Sequence, residues 1–265
     1  MWLVLVLLLI PSGVLGYDRI ISLSPQITES LYLMGADDKL IGVTDFCKRP
    51  MEATKKERVG TPLRPDVEKI VSMKPEIVLG SREGNSPLLM ARLERLGLRI
   101  HYFHRSKSLE ALLDNFLTLS RLVGKEKKGE SVVAIAKAIL ERTQKGKRYR
   151  VLWQVGADPP IVASTSSFAN DIIWYAGGEN IIESELPYLR INAEEVLVKT
   201  PHIVVVMDHG YNIRREIDRW RGLLGQARFV TMDAYAVGSP TPLSFADAVN
   251  KLARAMGEWD KEGHR

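Results

Sequence analysis

The sequence predicts an α/β fold: two lobes with parallel sheets, joined by one long α-helix. Three observations carry this. Short apolar runs alternate with helical patterns in both halves of the 265-residue chain. The segment DVEKIVSMKPEIV at 66–78 returns as NAEEVLVKTPHIV at 192–204, so that Glu68 falls on Glu194, 126 residues on. Between the halves, 108–145 reads as helix almost throughout, interrupted only around Gly124 and without Gly/Ser linker character. The expected boundaries are a signal peptide at 1–16, a first lobe at 17–123, a connecting helix at 124–146 and a second lobe at 147–265.

The elements follow in order. The leader MWLVLVLLLIPSGVLG has an apolar run too short to span a bilayer, then Pro11-Ser12-Gly13 and small residues suited to cleavage before Tyr17. Its amino-terminal end lacks Lys or Arg, and a buried strand or an uncleaved membrane-associated stub is the competing reading. Arg19–Leu23 is a strand, broken by Ser24-Pro25. Ile27, Leu31 and Met34 then fall at helical spacing, with Gly35 as the stop. Leu40–Thr44 is a strand. Asp66 caps a helix that Pro75 ends, and Ile77–Leu79 is the next strand. Residues 87–96 are helical, and Ile100–Phe103 is a strand. In the second half, Arg150–Val155, Pro160–Ala163, Ile203–Met207 and Phe229–Met232 are strands. Phe168–Ala176, 193–199, 212–224 and 243–257 are helices, and Asn192 is the cap that matches Asp66.

Composition is that of a globular protein, with 45% apolar and 26% charged residues. The formal net charge of +5 is spread among acids, and no nucleic-acid-binding pattern is present. The single cysteine, Cys47, permits no internal disulfide, and no cysteine follows the leader, which excludes the lipoprotein route. Phosphate-loop, dinucleotide, nucleophile-elbow and HExxH motifs are all missing, so no catalytic residue is proposed. The five histidines show no closed zinc spacing, and no metal site is expected.

Ligands of parallel α/β sheets bind beyond the carboxyl ends of the strands. The candidates are therefore Ser24, Pro25, Phe46, Pro62, Arg64, Ser81 and Arg82 in the first half. In the second they are Tyr188, Arg190, His209, Tyr211 and Tyr235. Aromatic faces mixed with guanidinium groups suit a large, partly apolar, anionic ligand. Glu68 and Glu194 sit in helix first turns, where the helix dipole alone favours a carboxylate. Their matched placement also suits contacts with a two-fold-symmetric partner.

RIISLSPQITESLYLMGADDKLIGVTDFCKRP, VGTPLRPDVEKIVSMKPEIVLG, GGENI and NAEEVLVKTPHIVVV together resemble the class III (helical-backbone) periplasmic substrate-binding proteins of ABC importers, of the cobalamin and iron-siderophore type. The resemblance spans about residues 18–256. It implies two Rossmann-like lobes on a helical backbone and a metal chelate held between them: a ferric siderophore, a corrinoid or haem. It also implies delivery to a dimeric permease that docks on Glu68 and Glu194. Cobalamin-binding members line the cleft with tryptophans, whose positions fall here on Pro62, Ser81 and Tyr188. An arginine that several members carry near the last helix falls on Ser244 or a proline. The competing readings are a two-lobed transferase- or chelatase-like enzyme, and a chelate scavenger or sensor without an importer. The chain is expected to act as a monomer outside the cytoplasm.

Overall fold

The computed structural model describes residues 16–143, 148–157, 159–210 and 213–261. The expected leader lies outside the described residues apart from Gly16.

The first lobe is a five-stranded sheet in the order β3-β2-β1-β4-β5, parallel throughout. The strands are β1 (Ile20–Ser22), β2 (Leu40–Val43), β3 (Glu57–Arg58), β4 (Ile77–Ser81) and β5 (Ile100–Phe103). Every residue of β4 is buried, as a parallel strand covered by helices on both faces requires. The covering helices are α1 (Pro25–Leu33), α2 (Val67–Ser72) and α3 (Pro87–Arg95). Proline occupies the first turn of α1 and of α3, where its missing N–H costs nothing.

The connector is helical, as its sequence indicates, but consists of two helices. They are α4 (Leu109–Leu122) and α5 (Glu126–Glu141). Gly124 turns the chain between them at φ 66°. Helix α4 packs on α1 of the first lobe, and α5 packs on α4 and on the final helix α10 (Pro242–Lys261).

The second lobe is built on β6 (Tyr149–Gly156), β7 (Ile161–Ala163), β8 (Gly178–Asn180), β9 (Tyr188–Arg190), β10 (Ile203–Asp208) and β11 (Arg228–Asp233). Its helices are α6 (Phe168–Tyr175), α7 (Ala193–Lys199), α8 (Ile213–Leu223) and α9 (Ala234–Gly238), with α10 closing the chain. Strands β8, β6, β10 and β11 are parallel, whereas β7 pairs antiparallel with the far half of β6 and β9 pairs antiparallel with β7. This sheet is therefore mixed, where the alternation of elements predicts an all-parallel one. Strands β8, β9 and β3 and helix α9 lie outside the predicted elements.

The sequence repeat is a structural repeat. Asp66 accepts from the Lys69 N–H (3.0 Å) and Asn192 from the Glu195 N–H (2.8 Å). Ile70 and Val196 are fully buried at matching positions. Each copy places a left-handed residue, Lys74 (φ 48°) or Thr200 (φ 39°), immediately before its proline. The register agrees as well: Ile77 of β4 pairs with Ile20, and Ile203 of β10 pairs with Val151. Thus β1-β4-β5 in one lobe corresponds to β6-β10-β11 in the other.

Candidate functional site

The carboxyl ends of both sheets open onto a cleft of about 800 Å³ between the lobes. The first lobe contributes Ser24 and Pro25 after β1, Phe46 after β2, Pro62 and Leu63, Ser81 at the end of β4, and Arg105 to Lys107 after β5. The second contributes Ser166 to Phe168 at the start of α6, Pro187 and Tyr188 at β9, and Val237 to Pro240 around the end of α9. Phe46 (54% exposed) and Tyr188 (48% exposed) present aromatic surface from opposite lobes. The charged lining is balanced, with Arg105 and Lys107 against Glu83 and Glu185.

Buried Asn85 holds the first lobe's rim together. Its Oδ1 accepts from the Ser81 N–H (2.8 Å), and its Nδ2 donates to the carbonyls of Leu23 (3.3 Å) and Pro62 (2.9 Å). One side chain thereby ties three rim segments. Glu83 adds a second tie, accepting from the Ser81 hydroxyl and from the Ser106 N–H (2.9 Å). In the second lobe, Ser164 and Ser166 donate to the carbonyls of Leu186 (2.6 Å) and Ser184 (2.6 Å). These bonds anchor the loop that leads into β9 and Tyr188.

Of the residues that sequence singles out, Ser24, Pro25, Phe46, Pro62, Ser81 and Tyr188 line the cleft. Arg64, Arg82, Arg190, His209 and Tyr235 are not in its lining. Arg64 sits on an exposed turn, its backbone N–H donating to Thr61 Oγ1 (3.1 Å). The Arg82 guanidinium lies 5.1 Å from the centre of the Tyr102 ring. Arg190 is an exposed residue of β9, opposite Ile161. His209 Nε2 donates to the Val155 carbonyl (2.7 Å) and borders a separate cavity of about 430 Å³ beside α8. Tyr211 lies outside the described residues. The position just past a strand marks the correct end of the sheet, but does not say which way a side chain turns.

Tyr235 is instead a strut between the lobes. Its hydroxyl accepts from the Lys48 N–H (3.2 Å), and the Arg49 guanidinium lies 4.3 Å from its ring centre. Arg49 also pairs with Asp233 at 3.2 Å. Burial is the main reason that the Tyr235 phenol pKa is pushed up to about 12, so it stays protonated at neutral pH. Gln26 Nε2 reaches the Pro240 carbonyl (2.7 Å), a further bond across the gap. Glu68 and Glu194 are exposed in the first turns of α2 and α7. Among the described residues, no three His, Cys, Asp or Glu side chains gather to hold a metal ion.

Three residue groups of the lining escape a reading by strand ends: Gln26, Ser166 to Phe168 and Val237 to Pro240. They lie on helix starts and on α9, which no sequence pattern separates from the end of β11.

The family described as periplasmic binding protein matches residues 20–236. A vitamin B12-binding protein of Vibrio cholerae serotype O1 is 30% identical over 243 residues, covering 89% of this chain and 87% of the relative. That of Salmonella typhimurium is 29% identical over 231 residues, 84% of each chain. The crystal structure of the periplasmic vitamin B12 binding protein of Vibrio cholerae superposes with a TM-score of 0.79 at 28% identity, over 93% of this chain and 99% of that one. A periplasmic heme-binding protein from Roseiflexus sp. RS-1 shares the fold at a TM-score of 0.77 and 23% identity, over 92% and 99% of the two chains.

Proposed function

This chain belongs to the periplasmic binding protein family, and on that premise we propose that it captures a metal chelate between its lobes and delivers it to an ABC importer permease. A corrinoid is the chelate that fits best. The carrying observation is the cleft itself: an exposed aromatic from each lobe, with a lining whose charges balance. A flat, largely neutral macrocycle matches such walls better than a highly charged anion does. Arg64, Arg82 and Arg190 would favour an anionic chelate, and they are not among the residues that line the cleft. The protein binds and releases without turnover.

The test is titration of the purified protein with cyanocobalamin, haemin and a ferric catecholate siderophore. A 1:1 complex with cyanocobalamin is expected. Phe46→Ala and Tyr188→Ala should each weaken it about tenfold, the equivalent of about 1.4 kcal/mol of lost aromatic contact. Failure of all three chelates to bind sinks the proposal. Haem is the second reading, favoured by the Tyr188 phenol on the cleft wall, since tyrosine can ligate haem iron. In that case haemin binds in place of cyanocobalamin, and Tyr188→Phe removes the iron–phenolate absorbance band.

We infer further that Glu68 and Glu194 contact the two basic pockets of a dimeric permease. Exposed apolar residues stand one turn on from each, Val71 and Leu197, on the same helix face. Glu68→Arg combined with Glu194→Arg should abolish docking to permease vesicles while cyanocobalamin affinity holds. Normal docking by the double variant removes this role. Export by residues 1–16 leaves a monomer beginning at Tyr17 and bearing no lipid. Intact-mass measurement of the exported protein checks the cleavage site, the absence of lipid and, under native conditions, the monomer.

A further inference from the structure

The charges of the cleft lining cancel in number but not in placement. Both cations, Arg105 and Lys107, stand on the first lobe, in the loop between β5 and α4. They flank Ser106, which is buried and held from two sides. Its N–H donates to Glu83 Oε1 (2.9 Å), and Asn115 Nδ2 of α4 donates to Ser106 Oγ (3.1 Å) and to the His104 carbonyl (2.9 Å). The loop is thus anchored at its middle, while Arg105 and Lys107 are exposed and line the cleft.

The carboxylates around this loop are engaged elsewhere. Glu83 Oε2 accepts from the Ser81 hydroxyl, so both oxygens of that group serve as the anchor. Asp171 accepts from the Leu109 N–H (2.8 Å), and Glu110 from the Tyr175 hydroxyl (3.2 Å). Glu185, the other acid of the lining, belongs to the second lobe. Among the described residues, neither Arg105 nor Lys107 makes a salt bridge. Two like charges on one short anchored loop repel each other, and an anion bound by both removes that cost. Guanidinium and ammonium groups both suit the oxygens of a phosphate or a carboxylate.

We propose that Arg105 and Lys107 form a subsite for a single anionic side arm of the ligand, a phosphodiester or a carboxylate, while the aromatic walls hold its neutral body. The assignment rests on the reading of the cleft as the ligand site. It adds a specificity element: a chelate with such an arm gains over one without it, because only the former neutralises the loop.

The test combines Arg105→Gln with Lys107→Gln and compares cyanocobalamin, whose nucleotide arm carries a phosphodiester, with dicyanocobinamide, which lacks that arm. The double variant should bind cyanocobalamin about tenfold more weakly, with a shallower salt dependence, and dicyanocobinamide as the unchanged protein does. A loss for haemin, with its carboxylates, and none for cyanocobalamin would assign the subsite to a carboxylate arm. Equal losses for the two corrinoids, or no loss for any anionic chelate, overturn the subsite. A small probe keeps this outcome distinguishable from failure of the proposed function. Phenyl phosphate, titrated into the ¹⁵N-labelled protein, should shift the Ser106 amide resonance saturably, and should not do so in the double variant. Phenol, the uncharged comparator, should leave that resonance in place. A Ser106 resonance unmoved by phenyl phosphate up to the solubility limit overturns the subsite, whichever chelate the cleft takes.

Discussion

Two polar side chains carry opposite lessons about burial. Asn85 satisfies three rim segments at once, so Asn85→Ala strands buried backbone groups at each. The expected loss is about 1–3 kcal/mol of stability, measured by urea denaturation, with weakened cyanocobalamin binding as Pro62 and Ser81 lose their shared anchor. Unchanged stability would remove Asn85 from this role. Glu29 on α1 is the reverse case. Its Oε2 is buried without a hydrogen-bond partner, and burial raises its pKa more than the nearby Arg49 lowers it, with Asp233 raising it further. A carboxyl with a raised folded pKa is neutral in both states well below pH 4.5 and costs nothing there. Its penalty grows as pH rises through the unfolded value and is complete above the folded one. Glu29→Gln should therefore raise the melting temperature more at pH 7 than at pH 4. An equal shift at both values would show that the carboxylate carries no such penalty. Neither residue is legible in sequence, where Asn85 follows Gly84 as an ordinary loop residue and Glu29 reads as a solvated helix face. Phe46 is legible as cleft lining, because it lies just past β2 of a parallel sheet, whereas Tyr188 opens the antiparallel-paired β9 and Tyr235, just past β11, is a strut, so position after a strand does not decide either.

At the scale of elements, the connector tests how closely two helices approach. A Cβ on Gly129 of α5 would stand 2.5 Å from the Ser120 Cβ of α4, an atom fixed to the backbone that cannot swing away. Helix propensity favours alanine over glycine by about 1 kcal/mol. Forcing an extra methyl into a packed contact costs about 1–3 kcal/mol, and the rigid neighbour decides the sign. Gly129→Ala should thus lower the urea midpoint, and Ser120→Gly in that background should restore part of the loss. A more stable Gly129→Ala variant would mean that the helices part freely. The helix pair was visible as an interrupted helical stretch, because Gly124 marks the turn. The mixed sheet was less visible, although one clue was present. Only four residues separate β6 from β7, too few for the crossover that parallel strands need, so an antiparallel return was required. Strands β8 and β9 have three residues each and exist through pairing with β6 and β7, which no local pattern announces.

At the scale of the whole molecule, the two lobes share one interior. A single apolar cluster runs from β1 and α1 through α4, α5 and α10 to β6 and α6, while smaller clusters serve the outer face of each sheet. Side-chain bonds add to this continuity. The Leu109 N–H donates to Asp171 (2.8 Å), Tyr175 to Glu110 (3.2 Å) and Gln26 to the Pro240 carbonyl. The sequence repeat announces two lobes, and two lobes by themselves suggest two folding units. The shared cluster argues against that independence, because unfolding either lobe would expose the apolar face of α4 and α5 that the other still covers. Unfolding should therefore be one calorimetric transition. Its enthalpy should be on the order of 170 kcal/mol near 60 °C, from about 0.7 kcal/mol per residue, with van't Hoff and calorimetric values equal. A saturating chelate should raise that one transition as a whole, since both lobes hold the ligand. Two resolved transitions, or a ligand that moves only part of the heat, would mean that the repeat governs stability and that the helices between the lobes are only a tether.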